Sequence, residues 1–532
     1  MTNQSSFTRS RRAQILCGLL IAIATTALTS CHSALFFDYH FPSSTFANRP
    51  VPPSLLAERV MVAVSTNGAS GSLAILDALR DIRSNVQNTK TFSISGTVGA
   101  FPTPILTFPA ELRGFVYSSV GGSLALVNYS TEAASAPTGA GPYPGATSVA
   151  ISPTFNHFYV AEPVTGQLVI TDSTSTAGTY ALNIPNVYQV NVNTGDTVVL
   201  AMVRNSDIVY RVIKLNTNQY PTSTAAIAAT GAIDCEPLNI PIYCAVPVNT
   251  GSNTTAFDRP FGVYFSLDGT AAYVLNCGPE CGGTTASVTF LQQGALNVNN
   301  FTIGIPNANS FMANVPVPGG VTAALSDGTT LYVSGQQLQP DGLFAGNLST
   351  ISLATVATSP STAVTGKYSI SDGTHTKMLF ADNNTLWIGS PACATGERAH
   401  QASLGVLTQA ANFNCLTRVA LPSGTAPLAA SIVPAVTQGP NPVPVPFPNT
   451  DQNQFYYGDL TGLCWVQTFN KVYTAYGGQV HAFYTGGAIT DPNDPAFGTT
   501  PAAGTEVNNN LITVQGTALD VAYLDAQTDA NN

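Results

Sequence analysis

"RPFGVYFSLDGTAAYVLN", from Arg259 to Asn276, reads as two strands folded over a tight turn. Phe261 to Phe265 is apolar and aromatic, Ser266 to Gly269 supplies turn formers, and Tyr273-Val274 carries a second β-rich run. Short β-branched and aromatic runs on either side of Asp-Gly are a hairpin signal. The phrase recurs in degraded form. "GATSVAISPTFNHFYVAEP" from Gly145, followed by "GQLVITDS" from Gly166, repeats it, as does "GGVTAALSDGTTLYVSG" from Gly319. Looser copies begin at Val187, Thr376 and Leu460, and the most eroded begins at Ile105. Repetition of one strand–turn–strand unit signifies an all-β repeat array.

The two ends of the chain indicate how the array closes. "GTALDVAYLDA", near the C-terminus, is a first strand with no second strand after it. "ERVMVAVSTNGASGSLAILD", where the folded part begins, is a second and third strand with no first. Two half-units make one whole if the array is a ring, and a ring leaves no long open sheet edge. The expectation is an all-β fold: a β-propeller of about eight four-stranded blades, its N- and C-terminal strands sharing one blade. The number is seven if the copy near Ile105 is not a full blade.

The opening phrase resembles the repeat of the YVTN-type surface β-propellers, in which Pro-x-Gly-Val-x-x-Ser-x-Asp-Gly is followed by Tyr-Val-x-Asn. The matching residues are Pro260, Gly262, Val263, Ser266, Asp268, Gly269, Tyr273, Val274 and Asn276. Related propellers include bacterial surface-layer proteins and lactonase-like enzymes, so the resemblance implies a fold more firmly than an activity.

The N-terminus reads as an address. Arg9, Arg11 and Arg12 precede an apolar or small-residue stretch from Ala13 to Leu28, shorter than the roughly 20 residues that span a bilayer. It ends in Leu28-Thr29-Ser30-Cys31, which resembles the lipobox of bacterial lipoprotein signal peptides. That resemblance implies cleavage before Cys31 and acylation of its sulfur. Ser10-Arg11-Arg12 is also similar to a twin-arginine signal, without the usual following Phe. The expected organisation is a signal peptide over residues 1–30, a Pro/Ser-rich tether over 31–56 and a single propeller over 57–532.

Only 9% of the 532 residues are charged, and Ser, Thr and Asn dominate the polar positions. Loss of the signal would leave 15 basic against 28 acidic residues. Nucleic acid requires phosphate-neutralising Lys and Arg, so that partner class is set aside. An acidic chain is not drawn to anionic membrane by charge. The expected membrane contact is the lipid anchor alone.

Cysteine usage agrees with export. Beyond Cys17 and Cys31, three pairs lie close in sequence, and the expected disulfides are Cys235–Cys244, Cys277–Cys281 and Cys393–Cys415. Cys464 in "GLCWV" falls in an apolar strand and reads as a buried thiol. Paired CxxC spacing for zinc and CxxCH for haem are absent from the sequence. "DPNDPAFG" offers Asp491, Asn493 and Asp494 to calcium but lacks the EF-hand's bidentate Glu. No cofactor is expected.

With strands named A to D from the axis outward, B–C and D–A connections emerge on one face of a propeller, and A–B and C–D connections on the other. The sequence places Cys235–Cys244 in a D–A connection, Cys277–Cys281 and Cys393–Cys415 in B–C connections, and residues 433–452 in a D–A connection. All four then share one face. Loops on a rigid scaffold carry function, so this face is the expected binding surface, with Glu236, Tyr243, Glu280, Glu397, Arg398 and His400 as its candidate contacts. HExxH, GxSxG and GxxxxGK[ST] are absent. His157 and His481, at or in strands, read as structural, and Asp268 and Asp327 as turn formers.

The leading expectation is therefore an exported, lipid-anchored binding or scaffold module of the cell envelope. Its partner would be an envelope protein, a polysaccharide or a small molecule. The alternative is a lactonase-like propeller hydrolase with carboxylates converging on the central channel. Two further readings are a propeller dehydrogenase, for which the tryptophan-rich repeats are missing, and a self-associating surface-layer protein.

Overall fold

The computed structural model describes residues 49–82, 84–85, 90–137, 141–176, 178–215, 231–235, 241–302, 307–404, 406, 414–434, 457–467, 469–492, 494, 496–507 and 512–526. Cys31, the signal stretch, Glu236 and most of the 433–452 connection lie outside these residues.

The chain forms an eight-bladed β-propeller of antiparallel sheets. The inner strands, in ring order, are Thr517–Tyr523, Pro102–Phe108, Ser148–Ile151, Val187–Val192, Pro260–Phe265, Ala323–Ser326, Lys377–Ala381 and Leu460–Val466. Blade one is closed by both ends of the chain: Thr517–Tyr523 pairs with Arg59–Thr66, which pairs with Ser70–Asp77. Its outer edge is irregular but bonded, with Ile75 N–H donating to Phe92 O and Ile94 N–H to Leu73 O, both at 3.0 Å. The eroded copy is a complete second blade, ordered Pro102–Phe108, Arg113–Ser118, Ser123–Asn128, Ala133–Ser135. That fixes the count at eight.

Burial explains the grammar of the repeat. Second strands lie between neighbouring sheets and are covered on both sides, so Ala271–Asn276 and Lys471–Tyr476 are buried at every position. Inner strands are less covered, and in Ser148–Ile151 buried and half-buried positions alternate. A doubly covered strand reads as a continuous apolar run, which is why Tyr-Val opens the recognisable half of each unit. The core is correspondingly a set of inter-blade layers; one joins Tyr159, Ile170 and Tyr180 of blade three to Val199, Val212 and Tyr243 of blade four. Each such side chain contributes about 1.5–3 kcal/mol by leaving water. In the Asp268 turn, Gly269 has φ +70° with open space around it, so backbone conformation rather than crowding calls for glycine. Asp268 accepts hydrogen bonds from Thr270 N–H (3.0 Å) and Thr270 Oγ1 (2.8 Å), the local capping expected of a turn former.

Ring closure is reinforced by buried charge. The Arg59 guanidinium meets Asp525 at 2.7 Å and Glu132 at 2.9 Å, tying blade one to the chain end and to blade two. Arg49 also pairs with Asp525.

One expected placement is corrected by the sheet order. Residues 242–247 are the outer strand of blade four, and Asp234–Cys235 adds a fifth strand outside it. Cys235–Cys244 is therefore a cross-strand bond on the rim, at the end of a C–D insertion rather than in a D–A connection.

Candidate ligand cleft on the disulfide-bearing face

Two disulfides remain on the B–C/D–A face. Cys277–Cys281 closes a short 3₁₀ turn after the second strand of blade five, and Cys393–Cys415 braces the B–C insertion of blade seven. The latter is pinned to the start of blade eight: Asp459 accepts from Ala394 N–H at 2.9 Å and from Thr395 Oγ1 at 2.8 Å.

Between blades six and seven, this face opens a cleft of about 390 Å³. Its walls come from the end of one second strand (Gln336), the turn Gly342–Phe344, the connection Asp372–Thr374, and Ala392, Cys393 and Gly396–Arg398 of the braced insertion. Arg398 lies in a short helix, Glu397–Ser403, and its side chain is only 4% exposed. It pairs with Asp341 at 3.1 Å and with Asp372 at 3.4 Å, two carboxylates that compensate a cation held away from water. Asp372 also accepts from Gly346 N–H at 3.2 Å, so the insertion is locked onto blade six.

Glu280, from the blade-five disulfide turn, stands behind the Gln336 wall. Its carboxylate accepts from Gln336 N–H at 2.8 Å and from Gln336 Nε2 at 3.0 Å. Burial pushes its carboxyl up to about 7, against the opposing pull of both Gln336 donors. The group thus titrates near neutral pH beside the cleft wall.

Of the residues expected at the binding face, Glu280, Glu397 and Arg398 are brought together here. Glu397 is exposed and accepts from Gln401 Nε2 at 2.6 Å, while His400 lies on the exposed side of the same helix. Tyr243 is a correction: it is buried in blade four, its hydroxyl donating to Asp172 at 2.7 Å near the A–B/C–D face. It moved with the misplaced Cys235–Cys244 hairpin. Asp341, Asp372, Gln336 and Thr374 went unrecognised because each sits in an ordinary turn or strand end, with no local signal of convergence.

The opposite face holds a different cluster. His157 stands between Asp196 (Nδ1, 2.5 Å) and Asp172 (Nε2, 3.3 Å), joining blades three and four. Both ring nitrogens are engaged, so the residue is a staple. Asp494, considered for calcium, pairs with buried Lys471 at 2.7 Å. No group of His, Cys, Asp and Glu suited to a metal occurs among the described residues.

No family model matches the chain, and no curated protein matches it. Among solved structures it is similar to dihydro-haem d1 dehydrogenase NirN (12% identity, TM-score 0.44, covering 88% of this chain and 75% of that one). It is likewise similar to the periplasmic gluconolactonase PpgL of Pseudomonas aeruginosa (10% identity, TM-score 0.40, 88% and 98% covered). A third similar structure is a putative 6-phosphogluconolactonase of Bacteroides fragilis (9% identity, TM-score 0.39, 88% and 98% covered). At these identities the likeness concerns the propeller fold alone.

Proposed function

We propose that this protein is an exported, lipid-anchored propeller that binds a small hydroxyl-rich ligand, of the saccharide class, in the cleft between blades six and seven. The observation that carries the reading is the built character of that cleft. A buried Arg398 held by two carboxylates, the Gln336 amide, the Thr374 hydroxyl and the Glu397 carboxylate surround a space of about 390 Å³. Such a set presents alternating donors and acceptors without a surplus of cation, which suits neutral hydroxyls better than phosphate. Preorganisation by Cys393–Cys415 limits the entropy lost on binding.

Residues 49–58 join the ring at the A–B end of blade one, where Arg49 meets Asp525. This segment thus enters the ring on one face while the cleft opens on the other, which is the arrangement expected of an anchored molecule that presents its cleft away from the membrane. Disulfide formation itself belongs to an oxidising compartment.

The test is a thermal-shift and calorimetric titration of the full-length protein in detergent with a panel of mono- and disaccharides. A ligand present at 100 times its Kd should stabilise the fold by about 2.7 kcal/mol. Thr374→Trp, which fills the cleft, and Glu397→Lys should each remove the effect. A saturable shift that survives both substitutions would place the site elsewhere. Cys31→Ser should release the protein from the membrane fraction; unchanged retention would remove the anchor from the reading.

A further inference from the structure

The central channel contains an ion pair, Lys377 with Asp520. Asp520 lies on the inner strand of blade one, beside a β-bulge where the pairing with Arg59–Thr66 skips a residue. Bulges re-aim side chains, and this one accompanies a carboxylate lodged among four inner strands. Asp520 Oδ2 accepts from Ile105 N–H of blade two at 3.0 Å, and Oδ1 from Val521 N–H at 3.0 Å. Lys377 Nζ, from blade seven, reaches the two oxygens at 3.1 and 3.3 Å. Gly462 of blade eight completes the seat: a Cβ there would stand 2.7 Å from Val521 N and 2.8 Å from Asp520 Cα.

The two partners are unequally exposed. Asp520's side chain is 2% exposed and Lys377's is 30% exposed. The carboxylate is satisfied by two peptide N–H groups as well as by the ammonium, so its charge is largely met within the wall. Lys377 has three donors and directs part of that capacity toward a cavity of about 300 Å³. The remaining lining is mostly apolar, with Leu379, Leu463, Met378 and Ala522, and adds the hydroxyls of Thr107 and Thr376.

We propose that this channel cavity binds a small organic carboxylate, its head on the Lys377 ammonium and its apolar body against Leu379 and Leu463. Because Asp520 also draws on two peptide N–H groups, the ammonium keeps donor capacity for one further carboxylate, with Thr107 and Thr376 beside it. A doubly charged phosphate would set a second negative charge next to Asp520 with no further cation in the lining. The site is separate from the cleft on the disulfide-bearing face and does not depend on it.

The experiment is calorimetric titration of the full-length protein with butyrate and benzoate, set beside butyramide and benzamide as neutral isosteres. The carboxylates should bind saturably, and the amides at least about tenfold more weakly, the scale of a charge-assisted hydrogen bond. Lys377→Met should lose about tenfold or more in carboxylate affinity, Lys377→Arg should retain binding, and Glu397→Lys in the cleft should leave it unchanged. Because Lys377→Met leaves Asp520 without its cation, the double variant Lys377→Met/Asp520→Asn serves if the single one does not fold. Absence of saturable binding by either carboxylate, equal binding of acids and amides, or wild-type affinity in a folded variant lacking Lys377 would overturn the proposal.

Discussion

Replacing Lys471 by Met should destabilise the seam between blades eight and one by about 3–5 kcal/mol at neutral pH. Lys471 is fully buried on the second strand of blade eight, and its ammonium bridges Asp81 at 2.8 Å and Asp494 at 2.7 Å. The Tyr473 hydroxyl donates to the same Asp81. Methionine keeps most of the side chain's volume and removes the charge, so two buried carboxylates lose their common cation. Breaking a buried pair from one side costs on the order of 3–5 kcal/mol, because the remaining charge is left uncompensated. Burial already pushes the Asp81 carboxyl up to about 6 in the native protein, in opposition to Lys471. A carboxyl raised in the folded state stabilises most below its unfolded value near 3.8, and that contribution fades as pH rises through about 6. Without Lys471 the carboxyl should rise further, so protonation can relieve the defect. Urea unfolding of both proteins between pH 5 and 8 should therefore show a large deficit at pH 7.5 that narrows toward pH 5. Equal stability at pH 7.5, or a deficit that widens on acidification, would refute the assignment of the network as a charged clamp.

Three further outcomes are expected. At the seam of blades three and four, burial would lower the His157 imidazole, but Asp172 and Asp196 raise it to about 9. Its stabilisation is complete below pH 6.5 and lost as pH rises through about 9. That displacement is worth about 3 kcal/mol at 1.36 kcal/mol per pH unit, and solvent at the rim reduces it to about 1–2 kcal/mol. Thermal melting from pH 6 to 10 should show this loss in the native protein and not in His157→Phe, whereas parallel profiles would contradict it. Changing Cys393 and Cys415 to Ser together opens a loop with a sequence separation of 22. This should cost about 3 kcal/mol and raise amide exchange across residues 390–404, with protection unchanged if the brace is dispensable. Deleting residues 516–532 removes an inner strand and the Asp525 partner of Arg59; burial of Val521, Tyr523 and Leu524 alone suggests a loss of more than about 5 kcal/mol. A truncated protein that melts like the intact one would mean that the ring is not closed by its ends.

What could be read in advance was whatever is encoded within a few residues. Ser-x-Asp-Gly followed by Tyr-Val specifies a hairpin and a doubly covered second strand through local turn chemistry and burial pattern, so it survives erosion from blade to blade. The unmatched strands at the two ends were equally legible, because a missing partner is itself a feature of the pattern. The cleft was legible only in part. Arg398 and Glu280 stood out as charges in cysteine-braced loops, but their partners Asp341, Asp372 and Gln336 carry no local mark.

Tyr243 and the Cys235–Cys244 hairpin were assigned to the wrong face because proximity in sequence identifies which cysteines meet, not which strand of a blade they extend. Lys377 and Asp520 are 143 residues apart and come together only because closing the ring sets the inner strands of blades seven, eight, one and two around a common space. The sequence by itself determined the propeller and the covalent braces of its loops, since both depend on neighbours along the chain, and it determined the closure through the unmatched strands at the two ends. The order of strands across a blade, the faces on which insertions emerge and the pairing of distant charges were decided by tertiary structure. Those depend on sheet register and on burial between blades, which no short stretch of chain contains.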